Sequence, residues 1–367
     1  MRAVFATGSA PREPLSVLSV GEVPEGPLEA LPSGWARVRV AVAGLNHHDI
    51  WTLRGISSRP IAYPAVLGCD AAGWVESYGG SPDGPSEGQP AIGTRVVVHA
   101  VVSCGECDGC RRKERCARMA LLSEGNLRGT LGERVDVPVA NLIPLPSGVS
   151  FDAAACLPTA YLTAFHMLFE AGGLRPGQSV LIHGGHGGVA VAARTLAALC
   201  GAHVIVTSRT EAHLPSTGGG AELSGGGLLP PADGVVLDGD AVGKIFALTG
   251  GRGIDLVVET VGDATWELSL KVVRTGGSIV VSGATTGSNP GAGLNRIFWK
   301  EIRVQGVTMG SLAQLETLVQ LVAEHRLNPL VAGRFQMEDA AGAFACLLEG
   351  RQPGKVLVEV APGEAGL

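Results

Sequence analysis

A strand that runs straight into a glycine-rich turn and out into an apolar helix fits little besides a βαβ unit. Val180-Leu-Ile-His leads into Gly184-Gly-His-Gly-Gly, and Val189 to Cys200 then reads as a buried helix. Within it, Gly185-His186-Gly187-Gly188-Val189-Ala190 gives G-x-G-x-x-A. In such a turn Gly185 permits the tight bend, Gly187 lets the backbone approach a pyrophosphate, and Ala190 keeps the helix close to the sheet. The helix N-terminus at Gly188 and Val189 presents free N–H groups to an anion. Glycine alone proves little, because the chain holds 54 of them in 367 residues. An ordinary βα turn is the plain alternative, and the strand–turn–helix setting is what favours a dinucleotide site.

The surrounding pattern agrees. After Phe151, apolar runs recur at similar intervals: His203-Val-Ile-Val-Thr, Val235-Val-Leu, Asp255-Leu-Val-Val-Glu and Ser278-Ile-Val-Val-Ser. Continuous apolar strands joined by helices mean a parallel sheet covered on both faces. Residues 1–150 differ. Ala36-Arg-Val-Arg-Val-Ala-Val and Gly93-Thr-Arg-Val-Val-Val-His alternate as half-buried strands do, and Gly and Pro punctuate short segments. From about Leu327 a helix (Glu338 to Glu349) and a strand (Gly354-Lys-Val-Leu-Val-Glu-Val) close the chain. Thr217 to Gly234 carries Gly218, Gly219, Gly220, Gly225, Gly226 and Gly227 where a crossover helix belongs. Each costs a helix roughly 0.8–1 kcal/mol against Ala, so a loop is expected there.

The strand after the turn selects the cofactor. A 2′-hydroxyl is usually bound by Asp or Glu at its end. Here it ends Val206-Thr207-Ser208-Arg209, with no carboxylate before Glu211. Ser208 and Arg209 suit a 2′-phosphate, which favours NADPH over NADH; an NAD site lacking its acid is the alternative. Composition excludes other roles. A formal net charge of -6 with no basic stripe argues against nucleic acid. The apolar run Ala153 to Phe169 is interrupted by Pro158 and His166 and is short for a bilayer, and the N-terminus has no apolar signal core. A cytoplasmic protein is expected.

Cys104, Cys107, Cys110 and Cys116 cluster, while Cys69, Cys156, Cys200 and Cys346 are scattered. Four close thiols in a long chain read as a closed, structural zinc site. An empty site or air-oxidised disulfides are the alternatives.

Taken together, Gly44-Leu-Asn-His-His-Asp-Ile-Trp, Leu67-Gly-Cys-Asp-Ala-Ala-Gly, the cysteine lobe, Leu157-Pro-Thr-Ala-Tyr-Leu-Thr-Ala, the glycine-rich turn and Phe298-Trp-Lys…Gly306-Val-Thr-Met-Gly-Ser resemble the medium-chain dehydrogenase/reductase superfamily, in its zinc-type alcohol dehydrogenase-like group. The resemblance implies an α/β fold: a Rossmann doubly wound parallel sheet (151–326), a GroES-like β-rich catalytic domain (1–150), and a segment 327–367 that returns to the catalytic domain. It also implies a homodimer, paired through the strand Ile302-Arg-Val-Gln-Gly-Val-Thr-Met.

Metal-dependent members hold a catalytic zinc with a Cys, a His and a second Cys or Asp. Here those positions carry Asn46, Cys69 and Thr159, so the catalytic zinc is expected to be lost and one structural zinc kept. The cysteine lobe also departs, its last spacing being x5 where the family has x7. The resemblance places His47 at the cofactor pyrophosphate and His48 nearer the reacting carbon as a proton relay. Asn46 and Thr159 would orient a substrate oxygen. Asp49 and Asp70 are the carboxylates behind the former metal, Asp70 as a salt bridge in its absence, and Tyr161 is a further proton-donor candidate, with packing as its plainer role. The expected activity is NADPH-dependent hydride transfer to a small polarised acceptor: an enone, a quinone, or an activated carbonyl or imine. A zinc alcohol dehydrogenase with a rebuilt site, using Cys69, Asp70 and His47 or His48, is one rival; a non-catalytic nucleotide-binding protein is another.

Overall fold

Six parallel strands make one sheet. Across it they run Asp233–Val236, His203–Ser208, Ser179–His183, Ile254–Glu259, Val273–Val281 and Arg303–Gly306. Numbered along the chain this order is 3-2-1-4-5-6. Winding reverses between the first and fourth strands and leaves a crevice at their carboxyl ends, where such sheets bind nucleotides. Both faces are covered, as the continuous apolar runs require. Val180, Ile182, Val204, Val206 and Val258 enter one core, while Leu181, Ile205, Val257 and Ile279 enter another. The helix after the turn spans Gly188–Leu199.

The structure, a computed structural model, describes residues 1–25, 31–80, 85, 87–112, 115–211, 214, 221–222, 228–350 and 353–361. Most of the glycine-rich segment 217–234, read above as a loop, lies outside them. Of its described parts, Ala221–Glu222 pairs with Leu228–Leu229, and Asp233 already belongs to the parallel sheet.

The second sheet has seven strands and is mostly antiparallel. Its long central strand, Trp35–Gly44, pairs with Asp70–Tyr78, Arg134–Pro138 and Lys355–Glu359. The last of these pairs in turn with Val331–Gln336, so the C-terminal segment completes the sheet of the first 150 residues. Its register sets Leu357 opposite Gly44. A helical stretch, Phe151 to Ala171, joins the two halves and contains π-type turns at Leu157–Tyr161 and His166–Ala171. Pro158 lies in the first of these, and its missing N–H loosens the helical ladder beside Thr159. Among the described residues no helix is long and apolar enough to cross a membrane.

Candidate active site

The nucleotide turn differs in one detail from the motif reading. The left-handed backbone falls on Gly184 (φ +83°), not on Gly185, because the strand ends at His183 and the bend follows at once. Gly187 caps the helix, and nothing lies within 4 Å of where its Cβ would stand. That bare helix N-terminus suits a pyrophosphate. Gly188 faces inward instead, and a Cβ there would come within 3.2 Å of Lys355 Cδ. Ser208 is buried at the end of its strand and Arg209 is exposed beside it.

Beneath the turn sits a network that motif reading missed. His183 and Glu259 are fully buried. Thr207 and Ser269 hydroxyls lie 2.9 Å from the two ring nitrogens of His183. Glu259 accepts from Ser269, Thr265 and the N–H groups of Val261 and Gly262. Burial pushes the His183 pKa down, so the ring is neutral. Its only signal was a pair of ionisable residues at the ends of otherwise apolar strands.

A cavity of about 240 Å³ opens between the two halves. Trp51, Leu121, Val307, Met309 and Leu347 supply apolar walls, and Gly188 and Val189 of the cofactor helix reach it too. Its polar floor comes from the loop after Gly44. Asn46 caps the helix His47–Leu53, and its N–H donates to Asp49 Oδ2 at 2.8 Å. Asp49 Oδ1 accepts from Gly68 N–H, so this carboxylate is a cap and a tie between loops. Burial pushes its pKa up, against the pull of His48.

Asn46, Thr159 and Asp70 do come together, but not as donors left free for a substrate. Asn46 Nδ2 donates to Asp70 Oδ2 at 2.9 Å and to the Gly44 carbonyl. The Thr159 hydroxyl donates to Asp70 Oδ1. Lys355, absent from the expected site, reaches in as well, with Nζ 2.6 Å from Asn46 Oδ1 and 2.9 Å from Asp70 Oδ2. Of its two roles Tyr161 has the plainer one, packing. Its buried hydroxyl accepts from Leu330 N–H, and burial pushes its pKa up. It packs the returning segment.

The two histidines separate. His47 stands exposed at the rim of the cleft, where partial desolvation by the protein crowded around its ring, and then the charges of Lys355 and Arg54, lower its pKa. His48 points inward, and its Nε2 is 3.2 Å from Glu124 Oε1. Burial opposes its charge, but Cys69 and the Glu124 carboxylate outweigh it and raise the pKa. Burial pushes the Cys69 thiol up. The partner that holds the His48 charge is therefore Glu124, itself drawn down by His48. His48 Nδ1 is buried without a hydrogen-bond partner.

Metal fits one place and not the other. Donor atoms of Cys104, Cys107, Cys110 and Cys116 all lie within 4.8 Å of one another, and the closest sulfur pairs are 3.5 Å apart. Zn–S bonds of about 2.3 Å in a tetrahedron need sulfurs roughly 3.8 Å apart. The shorter x5 spacing has not prevented convergence. The Glu106 N–H, the largest influence, helps hold the Cys104 thiol down to about 6, while burial and its neighbours push Cys110 up to about 12. Four crowded sulfurs share protons in this way until a cation lets all of them ionise. In the cleft, His48, Asp49 and Cys69 are also close. There each oxygen of Asp49 already accepts a backbone N–H and Lys355 supplies a positive charge beside Asn46 and Asp70, so the residues do not fit a catalytic zinc.

Known proteins agree with this architecture. The family model of the alcohol dehydrogenase GroES-like domain matches residues 32–147, and that of the zinc-binding dehydrogenase matches residues 232–358. A crystal structure of an NAD-dependent alcohol dehydrogenase is 34% identical, with a TM-score of 0.86, covering 98% of this chain and 100% of that one. Acryloyl-coenzyme A reductase of Sulfurisphaera tokodaii is 28% identical over 329 residues, 88% of this chain and 91% of its own length. Crotonyl-CoA carboxylase/reductase of Cereibacter sphaeroides is 28% identical over 370 residues, 94% of this chain and 84% of its own. With a doubly wound nucleotide sheet, a GroES-like sheet closed by the C-terminal strand and a cleft between them, this chain belongs to the medium-chain dehydrogenase/reductase superfamily of NAD(P)-dependent oxidoreductases.

Proposed function

We propose that the protein is an NADPH-dependent reductase of a small carbon–carbon double bond conjugated to a carbonyl, and that it works without a catalytic zinc. One observation carries this reading: His48 lines the cavity beside the cofactor helix with its Nε2 3.2 Å from Glu124 Oε1, in a pocket where Asn46 and Thr159 stand at two of the expected metal positions. NADPH, which Gly187 at the helix N-terminus and Ser208 and Arg209 at the strand end would hold, would supply the hydride that the β-carbon takes. The π pair then moves to the carbonyl oxygen as an enolate, and the α-carbon takes a proton. His48 gives that proton, and its positive charge meets the enolate as it forms. The apolar walls exclude water, and the cavity takes a short acyl or enone unit. The names of the two coenzyme A-linked relatives support the same acceptor class. The four-cysteine lobe binds one zinc that is structural.

The alcohol dehydrogenase structure favours a second reading, NAD-linked oxidation of an alcohol. A nicotinamide fluorescence screen against enones, enoyl thioesters, quinones, aldehydes and imines separates the two. Turnover of an enone or enoyl thioester with NADPH is expected, and activity confined to alcohols and aldehydes would refute the reductase. In the same assay Arg209→Ala should weaken NADPH by about 1–3 kcal/mol, the range of a charge-assisted hydrogen bond, and leave NADH nearly unchanged. Equal losses would mean that Arg209 does not read the 2′-phosphate.

The protein is further proposed to be a homodimer. Arg303–Gly306 is an open edge of the parallel sheet, with all four residues exposed, and Phe298 and Trp299 beside it are 62% and 81% exposed. An open strand edge flanked by exposed aromatic side chains invites pairing with another chain. Light scattering should give twice the 37.5 kDa chain mass, and a single-chain mass would refute the pairing.

A further inference from the structure

We propose that the Lys355 ammonium is the resident cation of the active-site pocket and stands in for the divalent metal, excluding it. The inference rests on the metal-free reading above and names the residue that enforces it.

The path to the pocket is set by sheet register. Lys355 opens the last strand, which lies antiparallel to Trp35–Gly44, and Leu45 N–H donates to the Val356 carbonyl at 2.9 Å. This pairing brings position 355 beside the loop that follows Gly44, 285 residues from Asp70 along the chain. The side-chain stem then passes over Gly188, whose missing Cβ would stand 3.2 Å from Lys355 Cδ. A glycine of the nucleotide turn thus leaves room for a lysine of the other domain.

The ammonium is fully engaged. It has three N–H groups. They meet the Leu45 carbonyl at 2.6 Å, Asn46 Oδ1 at 2.6 Å and Asp70 Oδ2 at 2.9 Å. Its side chain is 2% exposed and that of Asp70 0%. A carboxylate so deeply buried needs a cation or its own proton. Asn46 and Thr159, at two of the three positions that hold metal in the zinc-dependent relatives, turn their polar atoms to Asp70 and the ammonium. The third, Cys69, keeps its sulfur 3.8 Å from Asn46 Nδ2 and 4.0 Å from Thr159 Oγ1. A divalent ion drawn to this set would meet a positive charge already in place, at a depth where like charges repel strongly. Lys355 is accordingly a positioning residue: it holds Asn46 by its oxygen and neutralises Asp70, and it has no N–H left for substrate.

The test is zinc stoichiometry, measured after equilibration with excess zinc and gel filtration, on wild type, Lys355→Ala and Lys355→Ala/Asp70→Asn. NADPH binding and circular dichroism check the fold. Wild type should keep a single zinc, in the cysteine lobe. Lys355→Ala leaves Asp70 buried without its cation and should take up a second zinc. The double variant, with that negative charge removed, should return to one. A second zinc in wild type would overturn the proposal, and so would a Lys355→Ala protein that stays at one or a double variant that takes up two. No acceptor enters this measurement, so its outcome stands apart from the acceptor screen: a failed screen leaves the stoichiometry informative, and a failed stoichiometry leaves the reductase reading to be judged by turnover.

Discussion

Cys107→Ser is expected to empty the structural zinc site and unfold the lobe around it. The described residues of the segment from Cys104 to Arg118 form almost no core of their own. Of its cysteines only Cys116 is buried, and the adjoining strands Val101–Val102 and Ala120–Leu121 are two residues each. The local stability must come from the metal, whose apparent binding free energy in small thiolate sites is about 10–16 kcal/mol. Removing one of four thiolates opens the tetrahedron to water and discards much of that. Cys107 is a demanding choice because its sulfur also caps the short helix Asp108–Arg111 by accepting from Cys110 N–H. The effect should travel. Leu121 and Glu124 follow the lobe directly, Leu121 lines the cavity, and Glu124 holds His48. Elemental analysis should read about one zinc per chain in the native protein and none in the variant, and turnover should fall as Glu124 loses its place. Two zincs in the native protein, or an undiminished zinc content in Cys107→Ser, would sink this account.

The architecture could be read from the sequence because each strand carries its own evidence of burial. Leu181 and Ile182 enter opposite cores, as do Ile205 and Val206, and an uninterrupted apolar run has that meaning. The thiol lobe was equally plain, since its ligands lie close together in the chain. The working parts of the pocket were harder to see, because they are made by distant pairs. Glu124 is 76 residues from His48, and Lys355 reaches Asp70 only through the register of the last strand. A lysine within Gly354-Lys-Val-Leu-Val-Glu-Val, in a chain with only five, was the one local hint. The family resemblance suggested that Asn46 and Thr159 would orient a substrate oxygen; their hydrogen bonds turn both toward Asp70. The turn glycine was misplaced by one residue for a similar reason. The motif counts glycines, while the backbone bends where the strand stops.

His48→Ala should lower kcat by about 10²–10⁴-fold, the usual contribution of a positioned general acid. The imidazole lines the cavity, and its charge is held by Glu124. The sign of the pH dependence follows from the raised pKa. A raised value keeps the acid form through neutral pH, so the rate should stay level where an ordinary histidine would already be losing its proton, and fall only on the alkaline side. The pair's contribution to stability has the same upper limit: it is complete below the ordinary histidine pKa and lost as pH rises through the folded one. At the acid end, Glu124, drawn down by His48, gives up its share as pH falls through its lowered pKa. Glu124→Gln removes the negative partner while keeping a polar neighbour, and should move the alkaline fall in rate to lower pH. His47→Ala should act on cofactor affinity, since that ring stands at the cleft rim. If water protonates the enolate, His48→Ala will change kcat little and Glu124→Gln will leave the pH profile where it was. A brief chelator treatment, with circular dichroism confirming an intact fold, should spare activity; rapid inactivation reversed by zinc would mean that a metal, and not His48, meets the negative charge.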